Sequence, residues 1–266
     1  SKLVRDKTRD EDVQGRAFWA LGYVAAQNSL PKEVVDKATI LLKKGLRNVR
    51  GLKSPRAIAF TMIGLYYFIK SNPQKSLMQI FTKFADSLTA LYKENSDADW
   101  QWFEPHLTYS NAALPEALFY AYELVKDKKY LNVAEESIAF LKGITFLKKH
   151  YSPIGQKGWF FRDKARAFFD QQPEDTAHMV QAKLTAYNVT GKSEHFEDAY
   201  RAFQWFLGKN FLNQVIYDEG TGGCHDGLGQ DGVNLNQGSE STISYLLARL
   251  AFENINKPQT DLVQEA

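Results

Sequence analysis

The sequence predicts an all-α protein in which inner and outer helices alternate and close into a ring. Apolar residues recur at helical spacing in nine segments, whereas the alternation typical of β-strands is nearly absent. Segments that are apolar on most sides, which suits burial, alternate with amphipathic segments that carry one apolar stripe. The links from inner to outer segments are short, as in antiparallel helix hairpins, and three links from outer to inner segments are long.

Taken in chain order, the nine segments follow this alternation. Inner helices are predicted at residues 12–28, 54–70, 111–125, 176–189 and 239–252, and outer helices at residues 31–46, 73–93, 130–148 and 195–207. The first outer helix begins at Pro31, since proline suits the first helical turn. We expect the inner helices to form a barrel and the outer helices to form a jacket around it.

The three long links are predicted at residues 94–110, 150–175 and 208–237. Loops of this length inside a compact domain are usually functional. Because every inner helix is expected to run in the same direction, these links and the starts of the inner helices should meet at one end of the barrel. A binding site is therefore expected at that mouth.

Composition excludes several classes of function. The chain has 266 residues, with 33 Lys and Arg against 31 Asp and Glu, so it lacks the basic surface that a nucleic-acid-binding protein needs. The single cysteine, Cys224, cannot form an intrachain disulfide, which favours a cytoplasmic location. The most apolar run, residues 57–69, is too short to span a membrane. We expect no nucleic acid partner and no membrane span.

Three runs, at residues 10–22, 102–115 and 236–242, resemble the six-hairpin α/α-toroid glycosidase-like domains. More closely, they resemble a bacterial subgroup that is often attached to glycosyltransferases. The resemblance implies a saccharide or glycoconjugate substrate and a glycosyltransferase domain as a partner. Because a complete toroid has twelve helices, it also implies that the first three are missing and that this chain is the C-terminal part of a longer protein. We expect the toroid domain at residues 1–255 and a flexible tail at 256–266.

The link before residue 111 contains the first candidate catalytic residue, Glu104. Neighbouring indoles would desolvate its carboxyl and favour the protonated form that a general acid requires. Aromatic rings stack on sugar C–H faces, and amide or imidazole groups pair with hydroxyls. The substrate-binding candidates in this link are Trp102, His106, Tyr109 and Asn111. The alternative is a structural loop whose tryptophans fill the gap between helices.

Three more carboxylates at predicted helix starts are candidate catalysts: Asp12, Asp175 and Glu240. Acidic residues also favour a helix N-terminus through the helix dipole, so a capping role is the alternative for each. The substrate-binding candidates grouped with them are Arg16, Asp163, His178, Asn236 and Gln237. The resemblance favours the functional interpretation for the acidic cluster that precedes Arg16.

The glycine-rich link before Ser239 carries Cys224, His225 and Asp226 in succession. Lanthionine-cyclase-like toroids have a Cys–His pair at a zinc site, but such a site needs a second thiolate, and this chain has no other cysteine. We therefore expect no metal and no cofactor. His225 and Asp226 are interpreted as substrate-binding residues, with Asp226 as a partner of a sugar hydroxyl or of water.

The leading hypothesis is a carbohydrate-active domain whose reaction resembles that of a glycoside hydrolase. An inverting hydrolase needs two carboxyls about 6.5–9.5 Å apart, one as acid and one as base. One alternative is a non-catalytic module that binds glycan or supports an attached glycosyltransferase. Another is an open helical solenoid that binds protein, although the fully apolar inner helices argue against it.

Overall fold

The computed structural model describes residues 11–253 and residue 255. Asp10 and the tail predicted at residues 256–266 lie outside the described residues. The chain divides into two compact units. The first contains the described residues up to 96 together with 113–135, and the second contains 97–112 together with the described residues from 136 onward.

The described residues form nine helices and four strands of two residues each. The helices are α1 (Glu11–Ala25), α2 (Lys32–Val49), α3 (Pro55–Ser71), α4 (Lys75–Asn95), α5 (Ala113–Val125), α6 (Lys128–Thr145), α7 (Pro173–Thr190), α8 (Ser193–Phe203) and α9 (Ser239–Glu253). The strands are β1 (His106–Leu107), β2 (Phe160–Phe161), β3 (Gly227–Leu228) and β4 (Val233–Asn234). The all-α prediction is confirmed, and each predicted helix is present. No described helix has the length and apolar character needed to cross a membrane.

In the first unit, α1 and α3 pack with their backbones in direct contact. Gly15 faces Ala57, and Gly22 faces Gly64. A Cβ added at Gly22 would lie 2.0 Å from the Gly64 carbonyl oxygen. Because both pairs have the same separation along the chain, the two helices run parallel. Only glycine permits this approach, since any side chain would separate the backbones.

The starts of these two helices are also joined. The Glu11 carboxylate accepts hydrogen bonds from the backbone N–H groups of Lys53 and Ser54, each at 2.7 Å. The Ser54 side chain in turn caps α3 by accepting from the Ala57 N–H. The first turns of α1 and α3 are therefore fixed side by side.

Burial in the first unit agrees with the predicted inner and outer helices. Nearly every residue of α3 from Arg56 to Ile69 is buried, whereas α2 and α4 are buried only along one stripe. In α4 the stripe consists of Leu77, Phe81, Phe84, Ala85, Leu88 and Tyr92. The apolar face of each outer helix thus packs on inner helices, α2 on α1 and α4 on α3 and α5.

In the second unit, α7 packs against both α8 and α9. Most of α7 is buried, including Met179, Val180 and Leu184. The remainder of the unit consists largely of the links at residues 97–112, 146–172 and 204–238. Two small antiparallel sheets order these links: β1 pairs with β2, and β3 pairs with β4.

Candidate functional site

The glycine-rich link of the second unit lines a cavity of about 400 Å³. One wall contains Lys157, Asp170 and Gln172, and the other is formed by residues 226–227 and 229–234. The walls are joined through backbone atoms, because Gln171 and Leu228 exchange two N–H···O=C hydrogen bonds of 2.9 and 3.0 Å. The cavity therefore lies between two segments that are fixed to each other.

Glycines make this arrangement sterically feasible. A Cβ at Gly227 would lie 2.5 Å from the Gln171 carbonyl oxygen, so a larger residue would push the two walls apart. Across the tip of the β3–β4 hairpin, the Gly229 N–H donates to the Gly232 carbonyl at 2.9 Å. The glycine density noted in the sequence thus produces a tight hairpin with backbone exposed to the cavity.

Most of the cavity lining is polar and acidic. The lining contains three acidic residues, Asp170, Asp226 and Asp231, and one basic residue, Lys157. Lys157 Nζ lies 3.5 Å from Asp170 Oδ2. Gln172 and Asn234 contribute side-chain amides. Such a lining offers many hydrogen-bond acceptors and several donors to a ligand rich in hydroxyl groups.

Asp226 connects the cavity to the start of α9. Its Oδ1 accepts from the Gly238 N–H and from the Ser241 hydroxyl, each at 2.7 Å, and its Oδ2 accepts from the Asn236 amide. Burial opposes ionisation of this carboxyl, but the donors from Asn236, Ser241 and Gly238 outweigh it and lower the pKa of Asp226. Asp226 is therefore a charged acceptor and not a proton donor at neutral pH.

The other predicted residues of this link lie around Asp226. His225 Nδ1 is 3.2 Å from the Leu235 carbonyl oxygen. The Gln237 amide donates to Asp218 at 2.9 Å and accepts from the Thr221 hydroxyl at 2.9 Å, which holds the loop tip. Glu240 is exposed in the first turn of α9. A substrate contact for His225, Asn236 or Gln237 remains a prediction, as does a catalytic role for Glu240.

A second cluster surrounds the β1–β2 pair. In this pair His106 lies opposite Phe161, with their ring centroids 5.7 Å apart. Glu104 Oε1 is 3.4 Å from His106 Nε2, and both side chains are partly exposed. The Trp100 indole donates to the Glu104 carbonyl oxygen at 2.8 Å, which fixes the backbone at the candidate acid. The structure thus places Glu104 and His106 together at a solvent-accessible position.

Beside this pair, two residues have unusual backbone conformations. Ser110 has φ 47° and Trp159 has φ 55°, both in the left-handed region. For a residue as bulky as tryptophan this conformation is strained, and such strain is concentrated at functional sites. The ring of Tyr109, which precedes Ser110, lies 6.3 Å from that of Trp159. A partly exposed aromatic pair therefore borders the cluster.

Ser110 also contacts Glu174, a residue that is not among the predicted site residues. The buried Ser110 hydroxyl donates a hydrogen bond of 2.5 Å to Glu174 Oε1. The same oxygen lies 3.8 Å from Nε2 of His178, one helical turn further along α7. No pattern in the sequence predicts this contact, because Ser110 lies in a link and Glu174 follows it by 64 residues, in the first turn of α7.

Several predicted residues of the second unit have mainly protein partners. Trp102 is fully buried and packs against Phe103 and Phe140, so in this conformation its indole faces the protein interior. Asn111 and Thr108 exchange two hydrogen bonds of 2.6 and 3.0 Å.

Two further predicted residues flank the start of α7. Asp175, which is 6% exposed, lies in its first turn. Asp163 is exposed and has φ 63°. Substrate contacts for Trp102, Asn111 and Asp163 remain predictions, as does a catalytic role for Asp175.

Asp12 and Arg16 belong to the first unit. Asp12 Oδ1 accepts from the Ser54 hydroxyl at 2.9 Å, which links the starts of α1 and α3. The Arg16 guanidinium lies over the Phe60 ring, 4.5 Å from its centroid. Both contacts stabilise helix packing in that unit, and the catalytic role of Asp12 remains a prediction.

The donor set for a metal ion is poor. Among the described residues, no group of three or more His, Cys, Asp or Glu side chains is placed to hold one. Cys224 is buried, and burial, followed by the nearby charge of Asp226, raises the pKa of its thiol to about 12. The thiolate that a metal requires is therefore disfavoured at neutral pH.

No protein-family model and no curated protein matches the chain. Among solved structures it is similar to the GH76 α-mannanase of Bacteroides thetaiotaomicron, with a TM-score of 0.65, 13% identity, and coverage of 92% of this chain and 69% of the mannanase. It is similar to cellobiose 2-epimerase from Bacillus thermoamylovorans, with a TM-score of 0.66, 12% identity, and coverage of 92% and 71%.

It is also similar to the GH76A α-1,6-mannanase from Salegentibacter sp., with a TM-score of 0.64, 11% identity, and coverage of 93% and 90%. The chain spans less than two thirds of two further structures, 59% of one and 57% of the other. These neighbours are α/α-toroid enzymes, so the α/α-toroid fold class is confirmed. At this level of identity, the likeness is one of fold.

Proposed function

We propose that this chain acts on a saccharide bound in the cavity between residues 157–172 and 226–234. The observation that carries the proposal is the cavity itself, with three carboxylates, side-chain amides and glycine backbone in its walls. Its volume of about 400 Å³ lies in the range of small-molecule sites, about 300–1,000 Å³. The names of the three similar structures, two mannanases and a cellobiose epimerase, agree with this substrate class.

The reaction we propose is hydrolysis of a glycosidic bond by two carboxyl groups. Glu104 is not part of the cavity lining, so the proposal requires the saccharide to extend from the cavity to Glu104. Glu104 would donate its proton to the glycosidic oxygen as the bond to the anomeric carbon breaks. A second carboxylate would take a proton from the water whose oxygen attacks that carbon. The candidates for this base in the second unit are Asp175 and Glu240, and we add Glu174 to them. Glu174 is favoured by its partly exposed side chain and by its contacts with Ser110 and His178.

The experiment is incubation of the protein with neutral gluco- and manno-oligosaccharides, with products separated by chromatography and identified by mass and by monomer stereochemistry. We expect shorter saccharides as products. An epimerised product of unchanged mass would contradict hydrolysis and indicate that the reaction is an isomerisation. Glu104→Gln should lose turnover at least 100-fold and retain binding, as expected for a general acid. Glu197→Gln, an exposed charge change on α8, is the matched control. Failure of every saccharide to bind would overturn the proposal.

The second candidate is a non-catalytic module that binds glycan or supports a glycosyltransferase. The observation that favours it is Asp226, whose carboxylate is kept charged by three donors and suits holding a hydroxyl more than transferring a proton. Saccharide binding without turnover, unchanged in Glu104→Gln, would support this candidate. Mass mapping of the intact native polypeptide would show whether a transferase domain is attached.

We also propose a cytoplasmic location, for which the support is the single cysteine. Cell fractionation with markers for each compartment tests it. Recovery of the protein outside the cytoplasmic fraction would contradict the proposal.

A further inference from the structure

We propose that the cavity selects uncharged saccharides and rejects acidic ones, such as those carrying a uronate or a phosphate. This inference rests on the proposed function, because it concerns the ligand of the same cavity. It is argued from the charges and hydrogen-bonding groups of the cavity walls.

The ionisable groups of the walls leave an excess of negative charge. Lys157 lies 3.5 Å from Asp170, so this pair is close to neutral. Asp226 and Asp231 remain as two carboxylates without a second cation in the described lining. The hydrogen bonds that Asp226 accepts from Asn236, Gly238 and Ser241 come from uncharged groups, so they hold the charge in place without neutralising it.

Hydrogen bonding favours the same class of ligand. A carboxylate only accepts hydrogen bonds, so a ligand group that pairs with it must be a donor, as a sugar hydroxyl is. The amides of Gln172, Gln230 and Asn234 both donate and accept, which suits a hydroxyl in either role. An anionic group on the ligand cannot donate, and it would compete with Asp170 for Lys157 while facing Asp226 and Asp231.

The expected size of the effect follows from Coulomb's law. Two excess negative charges about 6 Å from a ligand anion, in a cavity open to water, weaken its binding roughly tenfold. Screening should reduce the difference, because the Debye length falls from about 30 Å at 0.01 M salt to about 3 Å at 1 M.

The test compares ligands that differ in one charge. Cellobiose and mannobiose, each with its counterpart oxidised to a uronate at C6 of the non-reducing sugar, are titrated into the protein by calorimetry at 0.02 M and at 0.5 M salt. We expect each uronate to bind about tenfold more weakly than its neutral counterpart at low salt. At high salt the difference should shrink to about twofold or less.

Variants of Asp231 test whether the weaker binding of the uronates is caused by the charge of the cavity. Asp231 is exposed in the hairpin turn, so Asp231→Asn and Asp231→Lys should fold normally, which thermal unfolding checks. Asp231→Asn should reduce the preference for the neutral disaccharide over its uronate to about threefold, and Asp231→Lys should remove this preference. Glu197→Gln makes the same charge change as Asp231→Asn on α8, outside the cavity lining, and should leave the preference unchanged.

The outcomes separate this inference from the proposed function. Equal binding of neutral and acidic partners at low salt, or a preference that Asp231→Lys leaves intact, would overturn the selectivity while the saccharide site stands. Failure of all four disaccharides to bind would overturn the proposed function, and the selectivity with it.

Discussion

The Ser110 hydroxyl donates a short hydrogen bond to the Glu174 carboxylate, and through it the link at residues 97–112 is joined to the first turn of α7. Ser110 is fully buried and has a left-handed backbone conformation, so the link is locally strained at the residue that carries this donor. His178 Nε2 lies 3.8 Å from the same carboxylate oxygen. The strain, the burial and the contacts together make Glu174 the best-defined carboxylate of this cluster.

Ser110→Ala should lower the free energy of unfolding by about 1–3 kcal/mol, because the Glu174 carboxylate, whose side chain is 14% exposed, loses its hydroxyl donor. Urea unfolding followed by circular dichroism measures the change. Ser87→Ala on α4 is the control, since its exposed hydroxyl bonds only the Phe84 carbonyl oxygen of its own helix, and it should change stability by less than about 0.5 kcal/mol. Equal losses in the two variants would contradict the proposed importance of the Ser110 contact.

Asp198→Asn should destabilise the protein by about 3–5 kcal/mol. Asp198 is buried on α8 and accepts from the buried Lys183 at 2.9 Å, and Lys142 Nζ lies 2.8 Å from the same oxygen. Without this carboxylate, the Lys183 ammonium would be left buried without its counterion. Glu33→Gln, which breaks the exposed pair of Glu33 and Lys37, should cost at most about 1 kcal/mol. Thermal unfolding of the two variants provides the comparison.

Two glycine-to-alanine changes should have opposite effects. At Gly64 an added Cβ would lie 2.2 Å from the Phe18 carbonyl oxygen, so Gly64→Ala should separate α1 from α3 and cost at least about 2 kcal/mol. At the exposed Gly143 of α6 no atom lies within 4 Å of the added Cβ, so Gly143→Ala should stabilise the helix by about 0.5–1 kcal/mol. Chemical denaturation measures both, and a loss at Gly143 would show that its backbone is not that of a regular helix.

The free energy of unfolding should fall between pH 10 and pH 12 because of the ionisation of Tyr67. Burial raises the pKa of this phenol to about 12, and its hydrogen bond with the Tyr120 hydroxyl at 3.1 Å opposes the increase only in part. Because the folded state keeps a proton that the unfolded state releases above pH 10, the contribution is complete below pH 10 and is lost as the pH approaches 12.

Tyr67→Phe has no proton to lose at this position. Across that pH interval it should therefore lose about 2 kcal/mol less unfolding free energy than the parent protein. Urea titrations at pH 9.5 and pH 11.5 give the two differences. The same decline in both proteins would mean that the Tyr67 pKa is not raised by folding.

The helices could be predicted because their signal is local. Apolar spacing and Pro31 located α2, and an almost continuous apolar run identified α3 as an inner helix, as its burial confirms. The predicted helix ends were less accurate. For example, α6 ends at Thr145, whereas its end was predicted at residue 148. The final turn of a helix depends on tertiary contacts, which the local sequence pattern does not predict.

The candidate site was only partly accessible to sequence reasoning. The glycine density of the last link did indicate a tight loop, and the cavity is lined by that loop. Indole chemistry alone could not show that Trp102 faces the interior while Trp159 stays partly exposed. Nor could it show that Ser110 would meet Glu174, because that contact depends on how a link and the distant start of α7 are brought together.

The backbone pairing of Gln171 with Leu228 has a consequence for how this protein can change. The two walls are held by main-chain groups, which every non-proline residue carries, so the framework does not depend on the identity of the side chains that project between them. We therefore expect that positions such as Gln172 and Gln230 can be exchanged without collapse of the framework. This part of the molecule is a natural starting point for redesigning ligand preference by mutation.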